Sequence, residues 1–72
     1  MSWLVVYVPP VGDEIQEPCV DWISAHEVLI GYIGMVDPPH SDVTFLSLAQ
    51  SAKPDKRFHA TDGVHTFAIE SL

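Results

Sequence analysis

The sequence predicts a small α+β domain in which one main helix packs on a mostly antiparallel sheet that ends in a β-hairpin. Three observations favour this class. An aromatic and β-branched segment lies near the N-terminus, a capped apolar segment follows it, and an Asp-Gly turn divides two short segments near the C-terminus. An all-β small barrel is the alternative fold. The length of 72 residues predicts a single domain over residues 1–72.

The first predicted element is a strand at residues 3–8, with the sequence WLVVYV. Apolar residues fill it without alternation, which is typical of a strand that is buried on both faces. The dipeptide Pro9-Pro10 ends it. Residues 11–17 contain three acidic side chains and a glycine, and they are predicted to form an acidic loop.

The main helix is predicted to end near Gly31, whereas its start is left open between two positions. Ser24 followed three residues later by Glu27 matches a capping box, and Pro18 would suit the first position of a longer helix. Glycine is the commonest helix stop, because it adopts the left-handed conformation readily. Residues 32–36 are predicted to be a strand, since two glycines in a continuing helix would cost about 2 kcal/mol relative to alanine. A continued helix is the alternative.

Residues 37–42 carry two prolines and are predicted to be a loop, and residues 50–55 to be a turn. The segment between them, residues 43–49, is compatible with either a strand or a helix. Its β-branched and aromatic residues favour a strand, whereas Ser41 could cap a helix. The sequence leaves this choice open.

The C-terminal segments are predicted to form a β-hairpin around a two-residue loop at Asp62-Gly63, because Asp-Gly suits the positive φ angles of such a loop. This register pairs Phe58 with Phe67. Side chains alternate between the two faces of a strand, so every second residue on each strand then lies on the buried face of the hairpin. The predicted buried set is Phe58, Ala60, His65 and Phe67.

The charge distribution is the most informative functional signal in the sequence. The net charge is −7, from ten acidic and three basic residues. Residues 1–52 contain seven of the acids and neither lysine nor arginine, whereas residues 53–72 contain three acids and all three bases. Such a surface repels nucleic acids and membranes and attracts basic proteins. The predicted partner-binding residues are therefore Asp13, Glu14, Glu17, Asp21, Glu27, Asp37 and Asp42.

Catalytic and metal-binding signals are weak, so the sequence predicts neither an enzyme nor a bound cofactor or metal. The potential metal ligands have no short spacing of the kind that zinc sites use; they are Cys19, His26, His40, His59 and His65. A nucleophilic role for Cys19 is disfavoured, because the neighbouring Glu17 and Asp21 raise the pKa of its thiol.

The expected location is the cytoplasm. A single cysteine cannot form an intramolecular disulfide, and the apolar N-terminus lacks the basic segment and cleavage site of a signal peptide. The longest uncharged run of the central stretch has nine residues, whereas a membrane-spanning helix needs about 20. A soluble monomer or small homo-oligomer is expected.

In size, acidity and lack of a catalytic set, the chain resembles phage-encoded inhibitors of bacterial machinery, including anti-CRISPR and anti-restriction proteins. No specific motif carries this resemblance. It implies an inhibitor or adaptor that mimics DNA and docks on the basic surface of a nucleic-acid-binding protein. The alternative is a structural or assembly subunit that oligomerises through exposed apolar surface. If the acidic residues only keep the protein soluble, the apolar surface of Trp3, Tyr7, Trp22 or Tyr32 is the alternative partner contact.

Overall fold

A computed structural model describes residues 2–36 and 45–72 of the chain. The element order is β1 (Trp3–Val8), β2 (Ile15–Cys19), α1 (Trp22–Val36), α2 (Phe45–Gln50), β3 (Phe58–Thr61) and β4 (Thr66–Ser71). The four strands form one antiparallel sheet in the order β2-β1-β4-β3. Because the sheet is open rather than closed, the α+β prediction is confirmed and the barrel alternative is wrong.

Strand β1 is central in this sheet, and its position explains its composition. It pairs with β2 on one side and with β4 on the other. Val5 faces the core and Val6 faces the opposite side of the sheet, and both are buried. The prediction of a strand buried on both faces is therefore confirmed, as expected for the apolar run.

Strand β2 corrects the prediction of an acidic loop to Glu17 and a helix start at Pro18. Residues Ile15–Cys19 pair with β1, and β2 lies at the edge of the sheet. A proline lacks the amide hydrogen that a central strand needs on both sides, but an edge strand tolerates it. Most of β2 is exposed, so backbone pairing rather than apolar burial defines this strand.

Helix α1 runs through Gly31 and Gly34, so the predicted stop and the predicted strand at residues 32–36 are both wrong. The buried residues of α1 recur at helical spacing on one side, and they are Trp22, Ala25, Leu29 and Ile33. Burying a side chain such as Ile33 contributes about 1.5–3 kcal/mol, which is similar in size to the cost of about 2 kcal/mol for both glycines. Both glycines lie on the exposed side of the helix.

Helix α1 begins at Trp22, so neither predicted start is correct. Asp21 precedes the helix, and its carboxylate Oδ1 accepts a hydrogen bond from the Ser24 amide at 2.8 Å. The Asp21 carbonyl accepts the Ala25 amide at 3.2 Å. Asp21 is therefore the capping residue, and Ser24 lies three residues inside the helix.

The segment whose structure was left open is a helix where the structure describes it. Residues Phe45–Gln50 form α2, in which Phe45 and Ala49 are buried one helical turn apart. The predicted loop at residues 37–42, and the first two residues of the segment 43–49, lie outside the described residues. Residues after Gln50 form turns, as predicted, and Asp55 adopts a positive φ of 59° there.

The C-terminal hairpin forms around the predicted turn, but its register differs by two residues. Phe58 pairs with Ile69, and Ala60 pairs with Phe67. An even displacement leaves each side chain on its predicted face, because side chains alternate with a period of two. Phe67 is fully buried, Phe58 is half-buried, and His65 lies in the turn rather than on a strand.

Side chains rather than a two-residue loop close this turn. Oδ1 of Asp62 accepts the amides of Val64 and His65, at 2.8 and 2.7 Å. The hydroxyl of Thr61 accepts the Gly63 amide and donates to the His65 carbonyl, at 3.1 and 3.0 Å. Gly63 has a φ of 86°, a conformation that few other residues adopt without strain.

Helices α1 and α2 lie on one face of the sheet, where they enclose the core. The core side chains of the sheet come from alternate positions of β1, β3 and β4, and include Trp3, Val5, Tyr7, Ala60, Phe67 and Ile69. Tyr7 stacks on Phe67 at 4.8 Å, and Phe45 of α2 meets Phe67 edge-on at the same centroid distance. These aromatic contacts join α2 to the two central strands, β1 and β4.

Candidate acidic edge and tryptophan depression

Four of the predicted partner-binding residues follow one edge of the sheet. Asp13 and Glu14 precede β2, Glu17 lies within it, and Asp21 follows it. All four are exposed. Only Glu17 lies within the paired strand, so these carboxylates are spread along the edge of the sheet, in the segments before and after β2 as well as in it. We call Asp13, Glu14, Glu17 and Asp21 the acidic edge.

Neighbouring donors hold two carboxylates of the acidic edge. The amide of Gln16 donates to Glu14 Oε2 at 2.6 Å, and the Tyr32 hydroxyl donates to Glu17 Oε2 at 3.2 Å. Burial, and then the charge of Glu17, raise the pKa of Tyr32, so this hydroxyl stays protonated and keeps its proton to donate. These contacts restrict the carboxylates before any partner arrives.

Asp21 combines a structural role with its place on the acidic edge. The Ser24 amide, through its hydrogen bond, lowers the pKa of Asp21, so the carboxylate remains charged in mildly acidic solution. The sequence analysis missed this capping role. Its signal was an aspartate three residues before Ser24, at the boundary of an apolar helical stripe.

The other predicted binding residues do not join the acidic edge within the described structure. Glu27 is exposed on α1, between the buried Ala25 and Leu29. At 100° per residue this position points away from the stripe that packs on the sheet. Asp37 and Asp42 lie outside the described residues. Of the predicted residues that the structure describes, four lie along the sheet edge and one lies separately on α1.

The described histidines have separate environments. His26 stacks on Trp22 at 4.6 Å, and its Nε2 lies 2.7 Å from the Ala49 carbonyl. Nδ1 of His65 lies 3.1 Å from the Tyr7 hydroxyl. His59 is exposed on β3, and His40 lies outside the described residues. Within residues 2–36 and 45–72, no three His, Cys, Asp or Glu side chains are grouped so that they could hold a metal ion.

Cys19 is half-buried at the end of β2, with its Sγ 3.8 Å from the Glu17 carbonyl. Burial raises the pKa of its thiol, and the charges of Glu17 and Asp21 raise it further. The predicted effect of these two acids on the thiol is confirmed. Because the thiolate is the reactive form, this environment disfavours nucleophilic chemistry at Cys19.

A depression that the sequence analysis missed lies beside the start of α1. It has a volume of about 400 Å³ and is lined by Trp3, Val20, Asp21, Trp22 and Asp55. Trp22 Nε1 donates to the Lys56 carbonyl at 2.9 Å, which ties this end of α1 to the loop before β3. We call this feature the tryptophan depression. Trp3 and Asp55 are distant in sequence from residues 20–22, so only the fold brings the lining together.

The fold and site together define a small two-layer α+β protein with an acidic sheet edge. Comparisons of the chain with family models, with curated proteins and with solved structures found no match. Within the part of the chain that the structure describes, no helix is long and apolar enough to cross a membrane.

Proposed function

We propose that the protein is an inhibitor or adaptor that docks its acidic edge on a basic, nucleic-acid-binding surface of a partner protein. The observation that carries the proposal is the set of four exposed carboxylates on and beside the edge strand β2. Exposed carboxylates spread along one edge of a sheet present several negative charges to a basic surface, as a nucleic-acid backbone does. The size and charge fit an inhibitor of the anti-CRISPR or anti-restriction type.

The surrounding charges support this orientation. The three basic side chains, Lys53, Lys56 and Arg57, all lie in the segment between α2 and β3, and β3 is the strand at the opposite edge of the sheet. Opposed potentials accelerate association and select the docking orientation. This segment also reaches the start of α1, where Asp55 lines the depression with Asp21. The charge asymmetry therefore favours docking through the Asp13, Glu14 and Glu17 part of the acidic edge.

The experiment uses the full chain immobilised as bait in a lysate of its source cells. The captured protein is purified, and its affinity is measured at salt concentrations from about 0.1 M to about 1 M, over which the Debye length falls from about 10 to about 3 Å. We expect affinity to fall with salt and duplex DNA to compete for the partner. Competition by DNA distinguishes a nucleic-acid-binding surface from other basic surfaces.

Matched variants locate the contact. Glu14→Gln with Glu17→Gln removes two charges from the acidic edge and retains an oxygen acceptor for Gln16 and Tyr32. The control, Glu27→Gln with Glu70→Gln, removes two exposed charges elsewhere. We expect the edge pair to weaken binding several-fold more than the control pair. Equal losses of affinity for the two pairs would mean that binding depends only on the net charge of the protein. Unchanged binding of the Glu14/Glu17 pair would contradict the proposal.

The second candidate function is an assembly subunit, and a specific observation favours it. The apolar surface expected at Trp3, Tyr7 and Trp22 is absent, because all three are buried in the core. Other large apolar side chains are exposed, among them Val11, Val20, Ile23, Met35 and Leu72. Exposed apolar surface drives self-association when it forms a contiguous patch. Sedimentation of the full chain over a wide concentration range tests this function. Growth of the particle with concentration supports assembly, and a constant monomer mass contradicts it.

A further inference from the structure

We propose that the tryptophan depression is a binding site for one basic side chain of the partner, with arginine favoured over lysine. The inference rests on the proposed function, because the side chain would come from the same basic protein. It adds a defined anchor to a contact that otherwise depends on long-range charge. Five residues line the depression, namely Trp3, Val20, Asp21, Trp22 and Asp55.

The apolar lining suits the aliphatic part of a long basic side chain. Trp3 and Trp22 are only 4% and 6% exposed, so they are held by the fold before a ligand arrives. Val20 is 81% exposed, which is unusual for an apolar residue beside two tryptophans. Covering Val20 with methylene groups would remove apolar surface from water at no cost in ordering the tryptophans.

The carboxylates determine the charge of the occupant. Asp21 and Asp55 both line the depression, whereas no cationic residue among the described ones does. An anionic or neutral polar ligand would leave these carboxylates uncompensated. A guanidinium group offers five N–H donors in a flat fork, which can address two carboxylates at once. An ammonium group offers a point charge and fits this lining less well.

The two carboxylates can be neutralised without disturbing the fold. Asp21 caps α1, and asparagine is an equally good capping residue. Asp55 has a φ of 59°, and asparagine tolerates this left-handed conformation as aspartate does. The double variant Asp21→Asn with Asp55→Asn therefore changes charge while keeping both structural roles. The control variant, Glu27→Gln with Glu70→Gln, removes two exposed charges outside both the depression and the acidic edge.

The chain provides its own probe, because its two tryptophans both line the depression. The experiment titrates the full chain with a blocked Gly-Gly-Arg-Gly-Gly peptide and records tryptophan emission. Peptides with lysine or with citrulline, the neutral isostere of arginine, replace arginine in parallel titrations. We expect a saturable change with arginine, a weaker one with lysine and none with citrulline. We expect the Asp21/Asp55 variant to bind about tenfold or more weakly, corresponding to about 1.4 kcal/mol, and the control to retain binding.

Several results would overturn the inference. Citrulline binding as well as arginine, lysine binding as tightly as arginine, or an unaffected Asp21/Asp55 variant would each do so. Failure of the inference is distinguishable from failure of the proposed function. If the arginine peptide is silent while the Glu14/Glu17 pair still weakens partner binding, the anchor is wrong and the acidic edge stands. If the arginine peptide binds but the Glu14/Glu17 pair leaves partner binding unchanged, the acidic edge is wrong and the anchor stands.

Discussion

At the scale of single residues, a few side chains and glycines decide local structure in ways that composition does not reveal. Asp21 begins α1, and Asp62 closes the turn between β3 and β4. Both act through hydrogen bonds from backbone amides to a carboxylate oxygen. Gly31, in contrast, sits inside a helix where its flexibility has no structural use.

Replacing Gly31 with alanine is expected to stabilise the protein by about 1 kcal/mol, because glycine is that much less favourable than alanine in a helix interior. A Cβ added at Gly31 would meet no atom within 4 Å. Chemical denaturation measures the change. The control is Gly63→Ala, which should destabilise because Gly63 has a φ of 86°. A destabilised Gly31→Ala variant would mean that α1 does not continue through this position.

Acid should weaken the fold through Asp21 and Asp62. Backbone hydrogen bonds, from Ser24 and from His65 with Val64 respectively, lower the pKa of both carboxyl groups. A carboxyl group whose pKa is lower in the folded state contributes stability above its unfolded pKa, and that contribution is lost as pH falls through the folded value. The melting temperature should therefore drop as pH falls below about 4, the ordinary aspartate pKa.

The variant that tests this origin is Asp21→Asn with Asp62→Asn, which keeps both oxygen acceptors but cannot titrate. Its melting temperature should fall less steeply between about pH 4 and about pH 2 than that of the parent chain. Parallel pH profiles for the two proteins would assign the acid sensitivity to other groups.

At the scale of elements, the fold depends on how strands and helices share one core. Phe67 shows this clearly, because it contacts Tyr7 of β1 and Phe45 of α2 at centroid distances of 4.8 Å. One side chain thus joins a central strand, its neighbour and the second helix. Truncating it removes contacts between three elements at once.

Phe67→Ala is expected to cost about 3–5 kcal/mol, the usual range for a fully buried phenylalanine. A loss of that size threatens the stability of so small a domain. Phe58→Ala is the matched control, since Phe58 is only half-buried on the edge strand β3 and should cost less. Urea unfolding measures both. Equal losses would contradict the hairpin register in which Phe67 lies at the centre.

The elements also show what the sequence could and could not predict. Faces of the hairpin were predictable, because side-chain parity survives the two-residue displacement, whereas the register depended on side-chain contacts of Asp62 and Thr61. The predicted helix ends too early, because the low helix propensity of glycine is visible in the sequence whereas the burial of Ile33 is not. Strand β2 has almost no buried side chain, so its sequence carries no alternation of apolar and polar residues from which a strand could be predicted.

In the candidate site too, the residue types were predictable, whereas their arrangement depended on tertiary structure. The acidic residues of the edge were predictable, since charge is read directly from the sequence. Their arrangement was not, because a loop and a strand place the same residues differently. The tryptophan depression joins Trp3, Asp21 and Asp55 from three parts of the chain, which required the tertiary structure.

At the scale of the whole molecule, charge and size act together. The net charge is −7, and the radius of gyration is 11.4 Å. The Debye length is about 30 Å at 0.01 M salt and about 8 Å at 0.15 M. At low salt, therefore, every acidic group on the molecule repels every other, whereas at physiological salt only neighbours interact. Compactness concentrates this repulsion, which opposes folding.

The melting temperature should consequently rise as NaCl increases from about 0.01 M to about 0.15 M, because screening weakens repulsion within the folded state more than in the expanded unfolded chain. Glu14→Gln with Glu17→Gln removes two negative charges from the acidic edge, so this variant should melt at a higher temperature at low salt and respond less to added NaCl. The opposite control is Lys56→Gln with Arg57→Gln, which makes the molecule more negative and should lower the melting temperature at low salt. Lys56 uses its backbone carbonyl to hold Trp22, so the control leaves that contact intact. If added NaCl lowers the melting temperature of the parent chain, attraction rather than repulsion dominates its surface, and the acidic edge is already compensated within the fold.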